Sequence, residues 1–170
     1  KPCGYKRVIR NLKIEYDVII MPELEADDAM GIFATKFEGN IIVSPDKDMK
    51  QIPGKLYNLE DTTTITPEEG AKWHLIQTLA GDQTDGYSGV PGIGVKRAET
   101  LFNKEGYSWS TVVKAFKDKG LTEEDALLNA RLARILTDED YDSRTQKPKL
   151  WSPESTYEVN VGTGLQDESN

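Results

Sequence analysis

The sequence contains little of what several common kinds of site require. Cys3 is its only cysteine, which excludes an internal disulfide and a cysteine zinc cluster. His74 is its only histidine, which excludes a metal site built from several imidazoles. The longest aliphatic run is the four residues 18–21, whereas a membrane-spanning helix needs about 20, so we expect no membrane partner. Any bound metal must be held by oxygen atoms, which favours a hard divalent cation.

The net charge of −8 argues against a polyanionic partner, but its distribution changes that argument. Seven acids lie in three short clusters, at residues 25–28, 46–48 and 82–85. Residues 152–170 hold further acids and no Lys or Arg, whereas residues 1–13 hold five cations and no acid. Outside the clusters and the acidic end, Lys and Arg outnumber Asp and Glu. A nucleic acid could bind such a surface once cations neutralise the clusters.

Residue patterns predict an α/β region, residues 1–65, followed by a helical region, residues 66–151, and an acidic tail, 152–170, which we expect to be poorly ordered. Within the first region, residues 18–21 and 41–43 are typical of buried strands around a helix at 25–37, hence a βαβ unit with a parallel sheet. A basic helix is predicted at 5–13, and two short strands within 55–66. Capping residues and helical periodicity predict helices over 66–80, 95–104 and 108–117, and one that begins at Thr122. His74, in mid-helix beside Trp73, is predicted to pack rather than to catalyse.

The first two acidic clusters directly follow the two predicted strands. Ligands of parallel sheets bind at the carboxyl ends of strands, so these acids are expected to converge there. Glu25 and Asp28 are three residues apart and share a helix face. Acids near a helix N-terminus also complement the helix dipole, and Pro-Asp pairs favour turns, but two clusters at one sheet edge favour a cation site.

The third cluster, Asp82 and Asp85, begins a glycine-rich loop between two predicted helices. The string Gly-Val-Pro-Gly-Ile-Gly-Val-Lys-Arg-Ala at residues 89–98 is typical of a helix-hairpin-helix. Its glycines let backbone amides approach a phosphate, and the helix that begins at Val95 adds its N-terminal amides and positive dipole. A merely structural glycine turn is the alternative.

Four motifs occur along the chain in this order: Glu-Ala-Asp-Asp, Ser-x-Asp-Lys-Asp, Gly-Asp-x-x-Asp and Gly-Val-Pro-Gly-Ile-Gly-x-Lys. Together they resemble the motifs of the structure-specific 5′-nuclease (flap endonuclease-like) family, and most of all its branch of T-odd phage 5′–3′ exonucleases. The resemblance covers about residues 14–135. It implies a partial PIN-like parallel sheet followed by a helix-three-turn-helix region that binds duplex DNA. It also implies two Mg²⁺ ions, with Mn²⁺ as a substitute, hydrolysis of phosphodiesters at DNA 5′ ends or flaps, and a K⁺ at the hairpin.

The resemblance assigns roles residue by residue. Seven acids are implied to be catalytic: Glu25, Asp27, Asp28, Asp46, Asp48, Asp82 and Asp85. All of them except Asp27 are also implied to be metal ligands. Glu25 and Asp28 are the foremost ligands of the first cluster, and Asp46 is the implied bridge between the two ions. Four hairpin residues are implied to grip DNA phosphates: Gly92, Gly94, Lys96 and Arg97.

The family's first strand, which ends in another metal-binding Asp, and its basic arch have no counterpart before residues 1–13. We therefore expect the chain, which begins at Lys1, to be the C-terminal portion of such a nuclease, with weak or no turnover alone. The main alternative is a non-catalytic helix-hairpin-helix module that binds duplex DNA beside a partial metal site. An acidic Ca²⁺-binding protein is a third class. We expect a cytoplasmic protein, in the host cytoplasm if a phage encodes it; the sequence does not indicate an oligomeric state.

Overall fold

The structure, a computed structural model, describes residues 2–156. Six α-helices and two small sheets occur within these described residues. Their bounds are α1 Tyr5–Glu15, α2 Ala26–Lys36, β1 Ile41–Val43, β2 Gly54–Tyr57, β3 Thr62–Ile65, α3 Pro67–Ala80, α4 Val95–Glu105, α5 Trp109–Lys117, α6 Glu123–Ala133, β4 Tyr141–Asp142 and β5 Lys147–Pro148. Short 3₁₀ turns lie at Lys47–Gln51, Asp138–Asp140 and Pro153–Thr156. Among the described helices, none is long and apolar enough to cross a membrane.

The larger sheet has the order β1-β2-β3, with β2 parallel to β1 and antiparallel to β3. Ile42 and Leu56 are register partners, and both are buried on the same face. They form a core with four further apolar side chains: Met49, Ile52, Ile65 and Ile135. The predicted fold class, a partial PIN-like parallel sheet followed by a helical region, is confirmed.

The predicted strand at residues 18–21 is wrong. These residues have no regular secondary structure, and Val18, Ile19 and Ile20 are all exposed. A run of β-branched residues forms a strand only when a neighbouring strand accepts its hydrogen bonds, and β1 bonds to β2 alone in the described sheet. The βαβ unit expected around α2 is therefore not formed, and the first acidic cluster does not follow a strand. The parallel pair is β1 and β2, which the Lys47–Gln51 turn connects.

The helical region agrees with the predicted helix positions and encloses a core of its own. Thr66 and Thr122 form capping boxes with Glu69 and Asp125, so α3 and α6 begin where the local sequence requires. The core of these helices contains Leu79, Phe102 and Phe116, all at or near full burial.

The helical region packs directly on the α/β region, since α3 contacts the Lys47–Gln51 turn. A Cβ on Gly70 would lie only 2.3 Å from the Gln51 carbonyl oxygen, so this close approach requires glycine. The division of the chain at residues 65 and 66 stays a prediction. Of the expected poorly ordered tail, residues 157–170 lie outside the described residues.

Candidate metal centre

The turn after β1 places Asp46 and Asp48 at the sheet edge, as expected. The Asp46 amide donates to Ser44 Oγ at 3.1 Å, and the Asp48 amide donates to Asp46 Oδ1 at 2.9 Å. Asp46 thereby caps the 3₁₀ turn, in which Met49 and Gln51 are buried. Because these two side chains anchor the turn, the position of Asp48 is fixed by the core beneath it.

The loop after α3 carries Asp82 and Asp85 to the same place. Asp82 and Tyr87 exchange two backbone hydrogen bonds of 2.9 and 3.0 Å, which close the loop into a narrow hairpin. At its base Gly81 and Gly89 touch: Gly89 has a φ of +59°, and a Cβ there would lie 2.4 Å from the Gly81 nitrogen. Two glycines are therefore needed for the loop to reach the sheet edge.

Carboxylate oxygens of Asp48, Asp82 and Asp85 lie within 4.8 Å of one another. Burial, together with the charges of Asp82, Asp48 and Asp46, raises the pKa of Asp85. The pKa of Asp82 is lowered, chiefly by the hydrogen bond that its carboxylate accepts from the Thr84 amide. Three oxygens at this spacing suit a divalent cation with oxygen ligands.

A cation of the chain itself already lies in this cluster. Lys47 Nζ is 2.9 Å from Asp48 Oδ1 and 3.6 Å from Asp82 Oδ2. The hydrogen bond with Asp48 raises the pKa of Lys47, so the ammonium stays charged. Sequence reasoning missed this role, although a lysine between two acids in Asp-Lys-Asp was a visible signal. The ammonium stands in for the positive charge that the carboxylates require.

The acids at the start of α2 face the same region in unequal ways. Burial raises the pKa of Asp27, and the charges of Asp46, Glu25, Asp28 and Asp48 raise it further. Asp28 Oδ1 accepts a 3.0 Å hydrogen bond from the Leu136 amide, so that oxygen fastens α2 to the chain after α6. Glu25 is the N-cap residue of α2, but its side chain makes no capping bond. Helix spacing alone favours Glu25 and Asp28, whereas in the structure Asp27 lies in the field of its own cluster and of Asp46 and Asp48.

One cleft of about 350 Å³ joins these acids to the chain that returns after α6. Glu25, Asp27, Asp28, Asp48 and Asp85 line it, together with Tyr87. Burial and three neighbouring aspartates raise the pKa of the Tyr87 phenol, which stays neutral. The lining of the cleft also includes three cations that sequence reasoning did not single out: Arg131, Arg134 and Lys149. No local pattern could have found them, because only the folded chain brings them to the same cleft as the acids.

The predicted hairpin residues lie at the start of α4. Gly92 has a φ of +81°, and its carbonyl accepts a 2.6 Å hydrogen bond from Arg97 Nη1. Gly94 is the N-cap of α4 and has no side chain to cap it, so the first amides of the helix are open to another acceptor. Lys96 and Arg97 are both exposed there. The hairpin thus combines helix amides with an exposed cationic side chain, Lys96. Arg97 is also exposed, and its hydrogen bond to Gly92 stabilises the turn.

Comparison with known proteins gives several relatives. No protein-family model matches the chain. An exodeoxyribonuclease of Enterobacteria phage T3 is 31% identical over 195 residues, and an exonuclease of Escherichia phage T7 is 31% identical over 193 residues; the alignments cover 91% and 90% of this chain. These similarities support assignment of the chain to the 5′-nuclease family. The chain spans 65% and 64% of the length of those two phage relatives. A 5′-3′ exonuclease of Mycobacterium tuberculosis is 32% identical over 136 residues, which are 66% of this chain and 42% of that protein.

Proposed function

We propose that this chain is part of a metal-dependent 5′–3′ exonuclease or flap endonuclease that hydrolyses phosphodiester bonds at DNA 5′ ends. The observation that carries the proposal is the convergence of Asp48, Asp82 and Asp85 within 4.8 Å, in a protein whose α4 hairpin offers amides and a free cation to a phosphate. The named relatives are exonucleases, which supports the same activity.

Asp48, Asp82 and Asp85 fit a divalent cation, Mg²⁺ or its substitute Mn²⁺, and would hold one ion. Glu25 and Asp28 would hold a second, with Asp46 contributing to both; Asp27 lies in the field of Asp46, Asp48 and its own cluster. Two such ions would polarise the phosphoryl oxygens and lower the pKa of an attacking water. The carboxylates would bind and orient the ions, so this proposal needs no histidine base.

The hairpin residues Gly92, Gly94, Lys96 and Arg97 would hold duplex DNA through its phosphates. Amides and cationic side chains carry no base code, so this binding is expected to be independent of sequence. We also propose that the hairpin binds a K⁺, which would contribute positive charge where the DNA phosphate binds. The site of action we propose is the cytoplasm, that of the host if a phage encodes the protein.

The test uses 5′-labelled duplex DNA with Mg²⁺ or Mn²⁺. The longer product of the same reading frame is expected to release 5′ mononucleotides or short oligonucleotides, and residues 1–170 alone to bind DNA but to cleave it far more slowly. In the longer protein, Asp48→Asn and Asp85→Asn should each lower the rate about 100-fold or more while binding in Ca²⁺ persists. Asp61→Asn, in an exposed turn, is the matched control and should cleave normally.

A duplex-binding module with an idle metal site is the second candidate, which the exposed hairpin cation favours. It would be supported if the longer protein bound DNA tightly in Mg²⁺ without releasing any labelled product.

A further inference from the structure

Three cations line the same cleft as the acids, and they differ in what they already bind. Arg134 donates to Asp140 Oδ2 from Nε at 3.0 Å and from Nη2 at 2.6 Å, so its charge is neutralised within the protein. Lys149 Nζ donates to the Glu139 carbonyl at 2.9 Å. Within residues 2–156, the Arg131 side chain donates through Nε alone, to the Trp151 carbonyl at 3.1 Å.

Within residues 2–156, no carboxylate lies within ion-pair distance of the Arg131 guanidinium. No carboxylate in the described part of the chain therefore neutralises its charge. The two Nη groups make no hydrogen bond in that part of the chain, which leaves four of the five guanidinium donors open. An arginine that lines a carboxylate-rich cleft without pairing with any of its carboxylates is available for an anion.

The side chain of Arg131 is also held in place. It projects from α6, between the buried Ala130 and Ala133, and its Nε bond ends on Trp151, which is 4% exposed. The Trp151 ring packs edge-on against His74 at 5.0 Å and against Trp109 at 5.4 Å. A guanidinium fixed through such an anchor loses little conformational entropy when it binds a ligand.

We propose that Arg131 binds a backbone phosphate of the DNA strand that enters the acidic cleft. The carboxylates repel a polyanion, and metal ions bound to them would offset part of that repulsion. The open fork of Arg131, in the lining of the same cleft, matches the paired oxygens of a phosphate. The cleft volume of about 350 Å³ lies in the range of ligand pockets, so it suits one nucleotide at a time. This inference rests on the proposed function, because it requires nucleic acid at the acidic site.

The test compares Arg131→Gln with Arg144→Gln, an equal loss of charge at an exposed turn outside the cleft. Binding of a 5′-phosphorylated duplex is measured by fluorescence anisotropy in Ca²⁺ over a range of salt concentrations. We expect Arg131→Gln to weaken binding about tenfold and to reduce the slope of log K against log salt by about 1. Arg144→Gln should leave both unchanged.

Arg131→Lys keeps the charge but not the fork, so it should retain the salt slope and recover only part of the affinity. Melting temperatures of the variants show whether each is folded. An unchanged affinity in Arg131→Gln, or a weaker affinity with an unchanged salt slope, would overturn the proposal, since the second result means that Arg131 only supports Trp151. The binding measurement needs no cleavage. If the longer wild-type protein bound DNA in Mg²⁺ but never cleaved it, the catalytic part of the proposed function would fail, whereas the contact of Arg131 with a phosphate would still be decided by the affinities of its variants.

Discussion

Lys47 Nζ lies 2.9 Å from Oδ1 of Asp48, the next residue in the chain, at the position where the acidic cluster needs a positive charge. The ammonium also reaches Asp82 at 3.6 Å, although the lysine side chain is 56% exposed. A divalent cation that binds Asp48 and Asp82 must therefore displace this contact or tolerate a like charge beside it. Lys47 is thus a competitor of the metal.

We expect Lys47→Gln to bind Mn²⁺ about fivefold more tightly than the wild type. Two unit charges about 4 Å apart interact by roughly 1 kcal/mol in water, and the substitution removes a repulsion of that order from the loaded state. Isothermal titration calorimetry measures the affinity. Lys50→Gln is the control, because it removes the same charge from the same turn, where Lys50 Nζ lies 5.1 Å from the Trp73 ring centroid. Equal affinities in the two variants would contradict the competition.

Divalent metal is expected to raise the melting temperature, because it binds the native acidic cluster and relieves the repulsion between its carboxylates. At 100 times the dissociation constant the free energy of unfolding should rise by about 2.7 kcal/mol. Asp46→Ala should lose most of this gain, whereas Asp61→Ala should keep it. Differential scanning fluorimetry with and without Mg²⁺ gives the shifts. A full metal shift in Asp46→Ala would remove Asp46 from the site.

Lys96 and Arg97 should both contribute to DNA binding, but only Arg97 should also contribute to the stability of the hairpin. Lys96→Ala is expected to weaken duplex binding equally for unrelated sequences and to lower the salt slope by about 1, without loss of stability. Arg97→Ala should do the same and also destabilise the hairpin, because the Gly92 carbonyl loses its partner. Lys104→Ala, in the last turn of α4, is the control for charge. Sequence-selective loss of affinity, measured by anisotropy on two duplexes, would point to a different binding surface.

The burial of neutral His74 is expected to make the free energy of unfolding decrease at low pH. The side chain is fully buried, and its Nε2 lies 2.8 Å from the Ala130 carbonyl oxygen, which fixes Nε2 as the donor. Burial lowers its pKa from 6.5 to about 4. Because the unfolded chain binds the proton more readily, the stability that neutral His74 contributes is complete above pH 6.5 and is lost as the pH falls towards 4.

The loss of stability at low pH is large enough to measure against a variant that does not titrate. Over that interval the wild type should lose about 3 kcal/mol relative to His74→Gln, which retains a donor for Ala130 but does not titrate. Urea unfolding at pH 7, 5.5 and 4.5 provides the comparison. Parallel pH profiles for the two proteins would mean that His74 binds a proton as readily in the folded as in the unfolded state, which would contradict its lowered pKa.

The sequence alone determined the helices of the second region and the resemblance to the 5′-nuclease family. Thr66 and Thr122 cap α3 and α6 through bonds to residues three positions away, and such signals can be read from the chain because they are local. The order of the acidic and glycine motifs is likewise a property of the sequence.

Features that depend on contacts between residues far apart in the sequence were decided only by the tertiary structure. Residues 18–21 have the composition of a strand, yet they lie exposed, because composition cannot supply the neighbouring strand that a sheet requires. Asp28 and Leu136 are 108 positions apart, and their hydrogen bond takes one oxygen of a carboxylate that helix spacing had assigned to the metal. Arg131 lines the acidic cleft for the same reason: α6 and the chain after it, in which Ile135 and Trp151 are buried, reach the acids only in the folded protein.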